Sequence, residues 1–511
     1  METLRIRNIK AFADSSEIEI KPITIFVGRN SCGKSSLIRF PAVLAQTANT
    51  MTDSPIRFYG NMVDYGNYED VKHCGSTEKM SFELKYNVNV GLSDAYIIGP
   101  SRIVRRRLME METNEEDYRD ITLKVVVDRP KKRLIVDRIE LWTGDMCLYQ
   151  IIRWDKQYSF LANYAYRDKQ YIYNPLRMDI HVSKIEFEKF IPLYEVDDAI
   201  HSIYTNYFGE GLSDDQLRRI ARYAVGLPRE IRRNRPNGDD QIIDIWEQFQ
   251  YYAVLINEIY RLYEWEFRNI RYIGPFREDP SRIYRDPEYN SNGVGVRGEN
   301  TSNVLIRAYR KKESTLIENI SGWTKKVLGS GITLKEVTSG MFQIMLKDDR
   351  GFETNLIDNG YGISQVLPIV TEVIRLTTDK QPRRQPKKLI RSDRILLLEQ
   401  PELHLHPAAQ SELADLFVEC ALAGKGKNKI LIETHSEHFI RKLQVLIASQ
   451  DCSLTKEMVR IYYVDKDEDG NSYVEEMGIL ENGKFETQWP SGFFDKGYLL
   501  SRELARAGIR E

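Results

Sequence analysis

The feature that most constrains the fold of this 511-residue chain is a glycine-rich turn near its N-terminus. The apolar run at 23–27 has the composition of a buried strand, and a helix is predicted from about Lys34 to Gln46. The turn between them fits the pattern G-x-x-x-x-G-K-[ST]. Its residues are Gly28, Arg29, Asn30, Ser31, Cys32, Gly33, Lys34 and Ser35, with Ser36 following. Strand, turn and helix in this order predict an α/β core with a phosphate-binding loop.

The residue types in this turn suit phosphate chemistry. Gly28 and Gly33 allow the backbone to curl so that its N–H groups face phosphate oxygens. The following helix adds partial positive charge at its N-terminus. Lys34 is expected to bridge the β- and γ-phosphates, and the Ser35 hydroxyl to ligate Mg²⁺. We therefore predict ATP and Mg²⁺ as cofactors. A chance glycine-rich turn is the alternative, which the strand and helix around the motif disfavour.

Two further apolar runs end in polar residues, as buried strands of a parallel sheet do when they lead into a site. The run at 394–398 ends at Glu399 and is followed by Gln400. The run at 430–432 is followed by polar residues through His435. A carboxylate at the end of such a strand faces the phosphate-binding loop and can hold Mg²⁺ directly or through water. Glu399 is therefore a candidate metal ligand.

The phosphate-binding loop and the segments LLLEQPELHLHP and ETHSEHFI resemble the ABC-type ATPases of the group that includes RecF, SMC, Rad50 and the overcoming-lysogenisation-defect ATPases. The similarity is greatest to bacterial anti-phage ATPases such as PtuA of Septu and AriA of PARIS, whose tail the segment at 489–495 also resembles. This resemblance implies that Glu399 takes the Walker B role and that Gln400 stands where most relatives have a catalytic glutamate. It also implies that His435 is the switch histidine at the γ-phosphate.

The segment from Asn359 to Pro368 falls where this group carries its signature motif. The resemblance implies that four of its residues lie against the γ-phosphate of ATP held by the opposite protomer: Gly360, Tyr361, Gly362 and Ser364. One chain then supplies only half of each complete site, so a homodimer or higher homo-oligomer is expected. The segment departs from the usual Leu-Ser-Gly-Gly-Gln form, because Gly360 stands in the serine position.

Gln400 limits the mechanism, because a glutamine can orient the attacking water but cannot accept its proton. Three interpretations are open. In the first, hydrolysis is slow and ATP acts mainly as a dimer clamp. In the second, the missing carboxylate is supplied by Glu402 or by the partner chain. In the third, the glutamine is an engineered trap. The form Glu-Gln-Pro-Glu looks native to the closest subgroup, which favours slow hydrolysis.

By the same resemblance, the chain is expected to act as a sensor or scaffold that controls a separate effector protein, a nuclease or toxin, in anti-phage defence. One alternative is a DNA-repair or recombination ATPase that works on DNA without an effector. Another is a nuclease carried within this chain, built on its acidic tail.

The expected fold class is α/β: an ABC-type P-loop ATPase head with an antiparallel β lobe and an inserted helical arm. Period-2 segments between 80 and 165 predict the antiparallel strands. The predicted units are 1–190 for the N-terminal lobe with the phosphate-binding loop, 191–270 for the helical arm, 271–458 for the C-terminal lobe with the signature, and 459–511 for two hairpins and a final helix.

Composition narrows the possible partners. The formal net charge of -2 argues against a general polyanion coat, so nucleic acid would have to meet local basic patches. Five cysteines without a CxxC pair favour a reduced, cytoplasmic setting. No apolar run is long enough to span a membrane, and no membrane contact is expected. Two arginine clusters are either solvated surface or a site for nucleic acid or an acidic partner: Arg102, Arg105, Arg106 and Arg107, and Arg229, Arg232, Arg233 and Arg235.

The acidic segment from Asp465 to Gly470 is a last candidate site. Together with Glu476 it matches the spacing of a calcium-binding loop, and it could also be an acidic cluster of a TOPRIM-type nuclease. The segments on either side are strand-like rather than helical, and Asp469-Gly470 is a favoured hairpin turn. A plain β-hairpin is therefore the preferred interpretation.

Overall fold

Three β-sheets organise the part of the chain that the structure describes. The structure is a computed structural model, and it describes residues 1–50, 54–89, 118–154, 157–162, 176–180, 266–287, 291, 293–312, 314–378, 393–449, 451–490, 500 and 502–504. The strands are β1 Thr3–Ile9, β2 Phe12–Asp14, β3 Ile18–Glu19, β4 Ile23–Gly28, β5 Met80–Asn89, β6 Tyr118–Asp128, β7 Ile135–Thr143, β8 Met146–Trp154, β9 Gln157–Ala162, β10 Leu176–Ile180, β11 Arg271–Ile273, β12 Tyr284–Arg285, β13 Gly331–Thr338, β14 Met341–Lys347, β15 Glu353–Asn355, β16 Arg394–Glu399, β17 Asn428–Glu433, β18 Val459–Lys466 and β19 Ser472–Glu476. The helices are α1 Lys34–Ala48, α2 Tyr68–Val71, α3 Thr301–Arg310, α4 Ser314–Leu328, α5 Tyr361–Thr378, α6 Pro407–Ala423 and α7 Glu437–Ala448, with 3₁₀ turns at Pro130–Lys132, Leu356–Asp358 and Lys456–Met458.

The central sheet carries the phosphate-binding loop and has the strand order β11-β16-β17-β4-β18-β19. Its first five strands are parallel, and β19 pairs antiparallel with β18. β4 and β17 are buried along their whole length, as strands covered on both faces are. The predicted α/β core is therefore confirmed. The carboxyl ends of β4, β16 and β17 meet at one edge, where ligands bind in sheets of this kind.

Alternate residues of the central strands belong to two different hydrophobic clusters. Leu397 and Leu431 pack with α1 and with the second sheet. Their neighbours Leu398 and Ile432 pack with α5, α6 and α7 on the other face. Side chains alternate between the faces of a strand, so residues two positions after Leu397 and Leu431 lie on the face that α1 covers.

The second sheet is antiparallel, with the order β10-β9-β8-β7-β6-β5-β1-β2 and β3 paired to β1. Phe82 of β5 packs edge-on against Phe40 of α1, with ring centroids 5.4 Å apart. The antiparallel strands predicted between 80 and 165 are thus confirmed for β5 to β9, and the N-terminal strand β1 joins them. A third, smaller sheet has the order β12-β14-β13, with β15 on β14, and packs beside α3 and α4.

The C-terminal segment makes a contact that its prediction as two hairpins and a final helix did not include. β18 and β19 form the predicted hairpin, but β18 also pairs in parallel with β4, from Val459 opposite Ile23 to Val464 opposite Gly28. The tail therefore completes the central sheet beside the phosphate-binding loop. Periodicity alone does not reveal this, because it carries no information on which distant strand a strand will join.

Several sequence predictions fall outside the described residues. These are most of the helical arm at 191–270, the arginine clusters at 102–107 and 229–235, and the segment at 491–499. Within the described ranges, no helix has both the length and the apolar character needed to cross a membrane.

Candidate nucleotide-binding site

The loop after β4 has the backbone geometry that its glycines allow. Gly28 has φ +139° and Gly33 has φ +98°, both in the region that favours glycine. A Cβ at Gly28 would lie 2.0 Å from the Val464 carbonyl oxygen, so β18 approaches the loop too closely for any side chain there. The loop ends at α1, whose N-cap residue Gly33 offers no side-chain cap to the first turn. Helix N–H groups without such caps are available to an anion.

Lys34 is held inside this loop. Its ammonium donates hydrogen bonds to the carbonyl oxygens of Gly28, at 3.0 Å, and Arg29, at 2.6 Å. The side chain is buried, and this burial lowers the pKa of Lys34. The cation is therefore already placed at the mouth of the loop, where two backbone carbonyl oxygens hold it.

Two residues one turn apart on α1 meet carboxylates on two adjacent strands. The Ser35 hydroxyl donates to Glu433 Oε2 at 2.7 Å. Arg39 donates through Nε and Nη2 to Glu399 Oε1 and Oε2, each at 2.6 Å. Glu399 and Glu433 are opposite each other in the pairing of β16 with β17. Because residues four apart lie on the same helix face, the first turn of α1 covers β17 and the second covers β16.

Glu399 is the more completely bound of the two carboxylates. It is buried, and Oε1 also accepts a hydrogen bond from the Tyr272 hydroxyl at 2.7 Å. The bound carboxylate raises the pKa of Arg39, and burial raises that of Tyr272, with the charge of Glu399 adding to it. At Glu433, burial raises the pKa of the carboxyl, the Ser35 hydrogen bond opposes this, and the neighbouring Glu399 adds to it.

The turn after β16 holds Gln400 in an uncommon conformation. Its φ is +45°, in the left-handed region, which non-glycine residues rarely occupy outside sites that need it. The Gln400 amide N–H donates to the Glu433 carbonyl oxygen at 2.8 Å. Arg277 is buried beneath the turn and donates to the carbonyl oxygens of Glu399, at 2.7 Å, and Gln400, at 3.2 Å. Burial lowers the pKa of Arg277 to about 10.

Glu402 and His435 meet behind this turn. Glu402 Oε1 accepts a hydrogen bond from the backbone N–H of His435 at 2.7 Å, while Oε2 has no hydrogen-bond partner among the described residues. Burial raises the pKa of the Glu402 carboxyl. Burial, together with the charge of Lys34, lowers the pKa of His435. Both effects favour the neutral form of the imidazole.

Asp465 braces the phosphate-binding loop. Its Oδ1 lies 3.4 Å from Cys32 Sγ, its Oδ2 accepts from the Tyr463 hydroxyl at 3.1 Å, and Arg29 Nε lies 3.6 Å away. The rest of the acidic segment forms a turn in which Asp467 Oδ1 accepts from the Asn471 N–H at 2.8 Å. The predicted plain hairpin is therefore confirmed, and Asp465 contacts the phosphate-binding loop.

The predicted signature segment, residues 359–368, includes the exposed start of α5. The Tyr361 side chain is 62% exposed, and a Cβ at Gly360 would meet no atom within 4 Å. Gly362 is close-packed, since a Cβ there would lie 2.9 Å from the His404 carbonyl oxygen. Ser364 is buried, and its hydroxyl donates to the Tyr361 carbonyl oxygen at 2.9 Å. Gly360 and Tyr361 are thus the surface residues of the segment.

Arg39, Tyr272, Arg277 and Glu433 were given no site role from the sequence. Arg39 carried a usable signal, because it lies one helical turn after Ser35. Glu433 ends a strand whose pairing with β16 places it beside Glu399. Tyr272 and Arg277 carried no such signal, since the pairing of β11 with β16 is what brings them to the site.

The donor set fits a magnesium nucleotide. A Ser hydroxyl and carboxylates are oxygen ligands of the kind Mg²⁺ prefers, and this ion usually takes the rest of its shell from phosphates and water. In the described ranges, no group of three His, Cys, Asp or Glu side chains is arranged to hold a metal ion by itself. Ser35, Glu399 and Glu433 supply the oxygen atoms of this donor set.

Sequence comparison decides the family. Residues 1–440 match the AAA ATPase domain. The chain belongs to this ATPase family. Its fold is that of an ABC-type P-loop ATPase head, as the sequence predicted. Residues 454–497 of this AAA ATPase match a second family, described as a protein of unknown function (DUF3696). No curated protein matches the chain.

Solved structures similar to this AAA ATPase include three SMC heads. The Smc head bound to the C-winged helix domain of ScpA has a TM-score of 0.39 and 13% identity, covering 94% of this chain and 98% of that one. The Smc head with an extended coiled coil, bound to the C-terminal domain of ScpA and derived from Pyrococcus furiosus, has a TM-score of 0.37 and 12% identity, covering 99% of each chain. The SMC head domain from Thermotoga maritima has a TM-score of 0.36 and 9% identity, covering 94% and 99%.

Proposed function

We propose that this AAA ATPase binds ATP·Mg²⁺ at the loop from Gly28 to Ser36. The observation that carries the proposal is the pairing of Ser35 with Glu433 and of Arg39 with Glu399, directly behind the loop. Bound Mg²⁺ would offset the charge of the β- and γ-phosphates, with Ser35 and a strand-end carboxylate holding it. We call Lys34, Ser35, Arg39, Glu399 and Glu433 the cis half-site.

The protein groups around the phosphates then have distinct tasks. Lys34 turns from the carbonyl oxygens of its own loop to the phosphates, exchanging neutral acceptors for charged ones. His435 donates from its neutral imidazole to the γ-phosphate. Gln400 positions water through its side-chain amide, and its backbone stays fixed by Glu433 and Arg277. Since an amide does not take up the proton of that water, turnover is slow and the ATP-bound state is long-lived.

The second half of the site comes from another copy of the chain. Gly360 and Tyr361 are exposed at the start of α5, where a helix N-terminus offers N–H groups to an anion. Two chains facing each other in opposite directions would each place this segment on the γ-phosphate held by the other. ATP then stabilises the dimer by its affinity for that state over the monomer.

Mass photometry of the full chain with and without ATP·Mg²⁺ tests the dimer. Gly360→Glu puts a carboxylate where the γ-phosphate would dock, at a position with open space around the Cβ. We expect this variant to stay monomeric with ATP while it binds nucleotide as a single chain. Gly322→Glu on α4 is a matched control, because its Cβ also meets nothing within 4 Å. ATP-dependent dimers of Gly360→Glu would contradict the proposal, as would ATP binding by Lys34→Ala at the affinity of the unchanged chain.

At a finer level, the proposed role is that of a sensor or scaffold whose nucleotide-clamped oligomer controls a separate effector, a nuclease or toxin, in anti-phage defence. The support is the resemblance of its motifs to PtuA of Septu and AriA of PARIS. A pull-down with the product of the neighbouring gene, with and without ATP, tests it. Retention of DNA by the chain alone, without any effector, would favour the DNA-repair alternative instead.

A further inference from the structure

We propose that Glu433, at the end of β17, is the carboxylate that faces the Mg²⁺ held at Ser35, and that Glu399 is a positioning residue beside it. This assignment rests on the proposed binding of ATP·Mg²⁺. It differs from the expectation that the carboxylate after the β16 run ligates the ion. The two residues are neighbours on the same face of the sheet, so what distinguishes them is how each is already bonded.

Both oxygens of Glu399 are already engaged. Oε1 accepts from Arg39 Nε and from the Tyr272 hydroxyl, and Oε2 accepts from Arg39 Nη2. A paired fork of this type is about twice as strong as hydrogen bonds between neutral groups. An ion at the remaining lone pair of Oε2 would lie beside the Arg39 guanidinium, and the two positive charges would repel each other. The Arg39 fork therefore opposes ligation of Mg²⁺ by Glu399.

Glu433 has a different set of contacts. The one side-chain hydrogen bond that the structure gives it comes from the Ser35 hydroxyl, the group expected to bind the ion. That hydroxyl can keep donating its proton to Glu433 while its oxygen lone pair turns to Mg²⁺. The carboxylate therefore reaches the ion directly or through one water without breaking an ion pair.

Neighbouring groups support this division. Arg39 lies one turn along α1 and holds Glu399 on β16, while Ser35 and Glu433 meet at the start of the helix, next to the loop. The Gln400 N–H is bonded to the Glu433 carbonyl oxygen, so the backbone at the end of β17 is fixed to the residue that would position water. Glu433 therefore contacts both the Ser35 hydroxyl, where the ion is proposed to bind, and the turn that carries Gln400.

The test compares how much Mg²⁺ strengthens ATP binding in three chains. Fluorescent N-methylanthraniloyl-ATP is titrated into the full chain and the variants Glu433→Gln and Glu399→Gln, in excess Mg²⁺ and in EDTA. The quantity is the ratio of Kd in EDTA to Kd in Mg²⁺. We expect Glu433→Gln to lower this ratio at least about 10-fold, as loss of a metal-shell group does. Glu399→Gln should lower it clearly less than Glu433→Gln does, because the Glu399 oxygens are engaged by Arg39 and Tyr272 rather than by Ser35.

Glu437→Gln is the matched control, since this glutamate begins α7 near β17 but is paired on the surface with Arg441. An unchanged ratio in Glu433→Gln, or an equal or larger loss in Glu399→Gln, overturns the assignment. If the unaltered chain binds no ATP under either condition, the proposed function fails as well. Should Glu433→Gln not fold, as judged by circular dichroism, Glu433→Asp keeps the charge on a shorter side chain. A reduced ratio there supports the assignment, and a full ratio overturns it.

Discussion

The cis half-site and the signature segment are the two parts of one proposed site, and they are built in opposite ways. In the first, Lys34 is 3% exposed and every named side chain is already hydrogen-bonded within the chain. In the second, Tyr361 is 62% exposed and Gly360 faces open space. The side chains of one half are held by contacts within a single chain, whereas the other half presents the exposed surface that the proposed dimer would use.

The largest effect should come from placing a carboxylate beside the cis half-site, at the turn that holds Gln400. Gln400→Glu places a proton acceptor on a turn that Arg277 and Glu433 already fix. A positioned general base contributes about 100- to 10,000-fold, so we expect steady-state ATP hydrolysis to rise at least about 100-fold. Phosphate release measures it.

Glu402→Gln is the companion to this experiment, because Glu402 is the other carboxylate near the turn. If Glu402 were the base, its loss would abolish the slow turnover of the unaltered chain. We expect turnover within about 3-fold instead, since a base supplies at least about 100-fold. Fast ATP hydrolysis by the unaltered chain would show that the cis half-site needs no added carboxylate.

A smaller effect is expected from Arg39→Ala, which tests how far the stability of the chain depends on the Arg39–Glu399 ion pair in the cis half-site. Glu399 is 2% exposed and would lose both donors of the Arg39 fork, keeping only Tyr272. Breaking a fully buried pair costs about 3–5 kcal/mol, but Arg39 is 32% exposed, so roughly 2 kcal/mol is expected. Urea unfolding measures the free energy. Arg441→Ala removes an exposed ion pair and should cost less than about 0.5 kcal/mol.

The smallest effect concerns pH. The folded-state pKa of Glu433 is raised, so above its usual value the folded chain binds more protons at this group than the unfolded chain does. Glu433 therefore lowers stability as pH rises from about 4.5 through its folded pKa. We expect Glu433→Gln without nucleotide to gain Tm relative to the unaltered chain between pH 5 and pH 8, by about 2 °C or less.

Glu402 also has a raised pKa, but it is present in both proteins, so the difference in Tm isolates Glu433. A Tm difference that stays constant across this pH range, or that shrinks as pH rises, would show that the ionised Glu433 carboxylate does not destabilise the folded chain. Scanning fluorimetry at matched ionic strength provides the measurement.

The sequence predicted local structure better than long-range contacts. The strand, loop and helix around Lys34 follow from residues within one short window, as do the end of β16 at Glu399 and the hairpin at Asp469-Gly470. The Arg39–Glu399 pair and the support from Tyr272 depend on parallel pairing between distant strands. Such pairing depends on how strands are arranged in space, which hydrophobic periodicity does not specify. The division of roles between Glu399 and Glu433 was likewise invisible, because both are glutamates that end apolar strands.

The position of β4 between β17 and β18 also has a consequence for biosynthesis. The strand that leads into the loop is made first, yet both of its hydrogen-bonding neighbours come from the stretch between Asn428 and Lys466. Until that stretch leaves the ribosome, both edges of the apolar strand β4 are unpaired. Such a strand can pair wrongly with other chains. Nucleotide affinity should therefore arise late on a nascent chain, and chains stalled before Val459 should need chaperones to stay unaggregated.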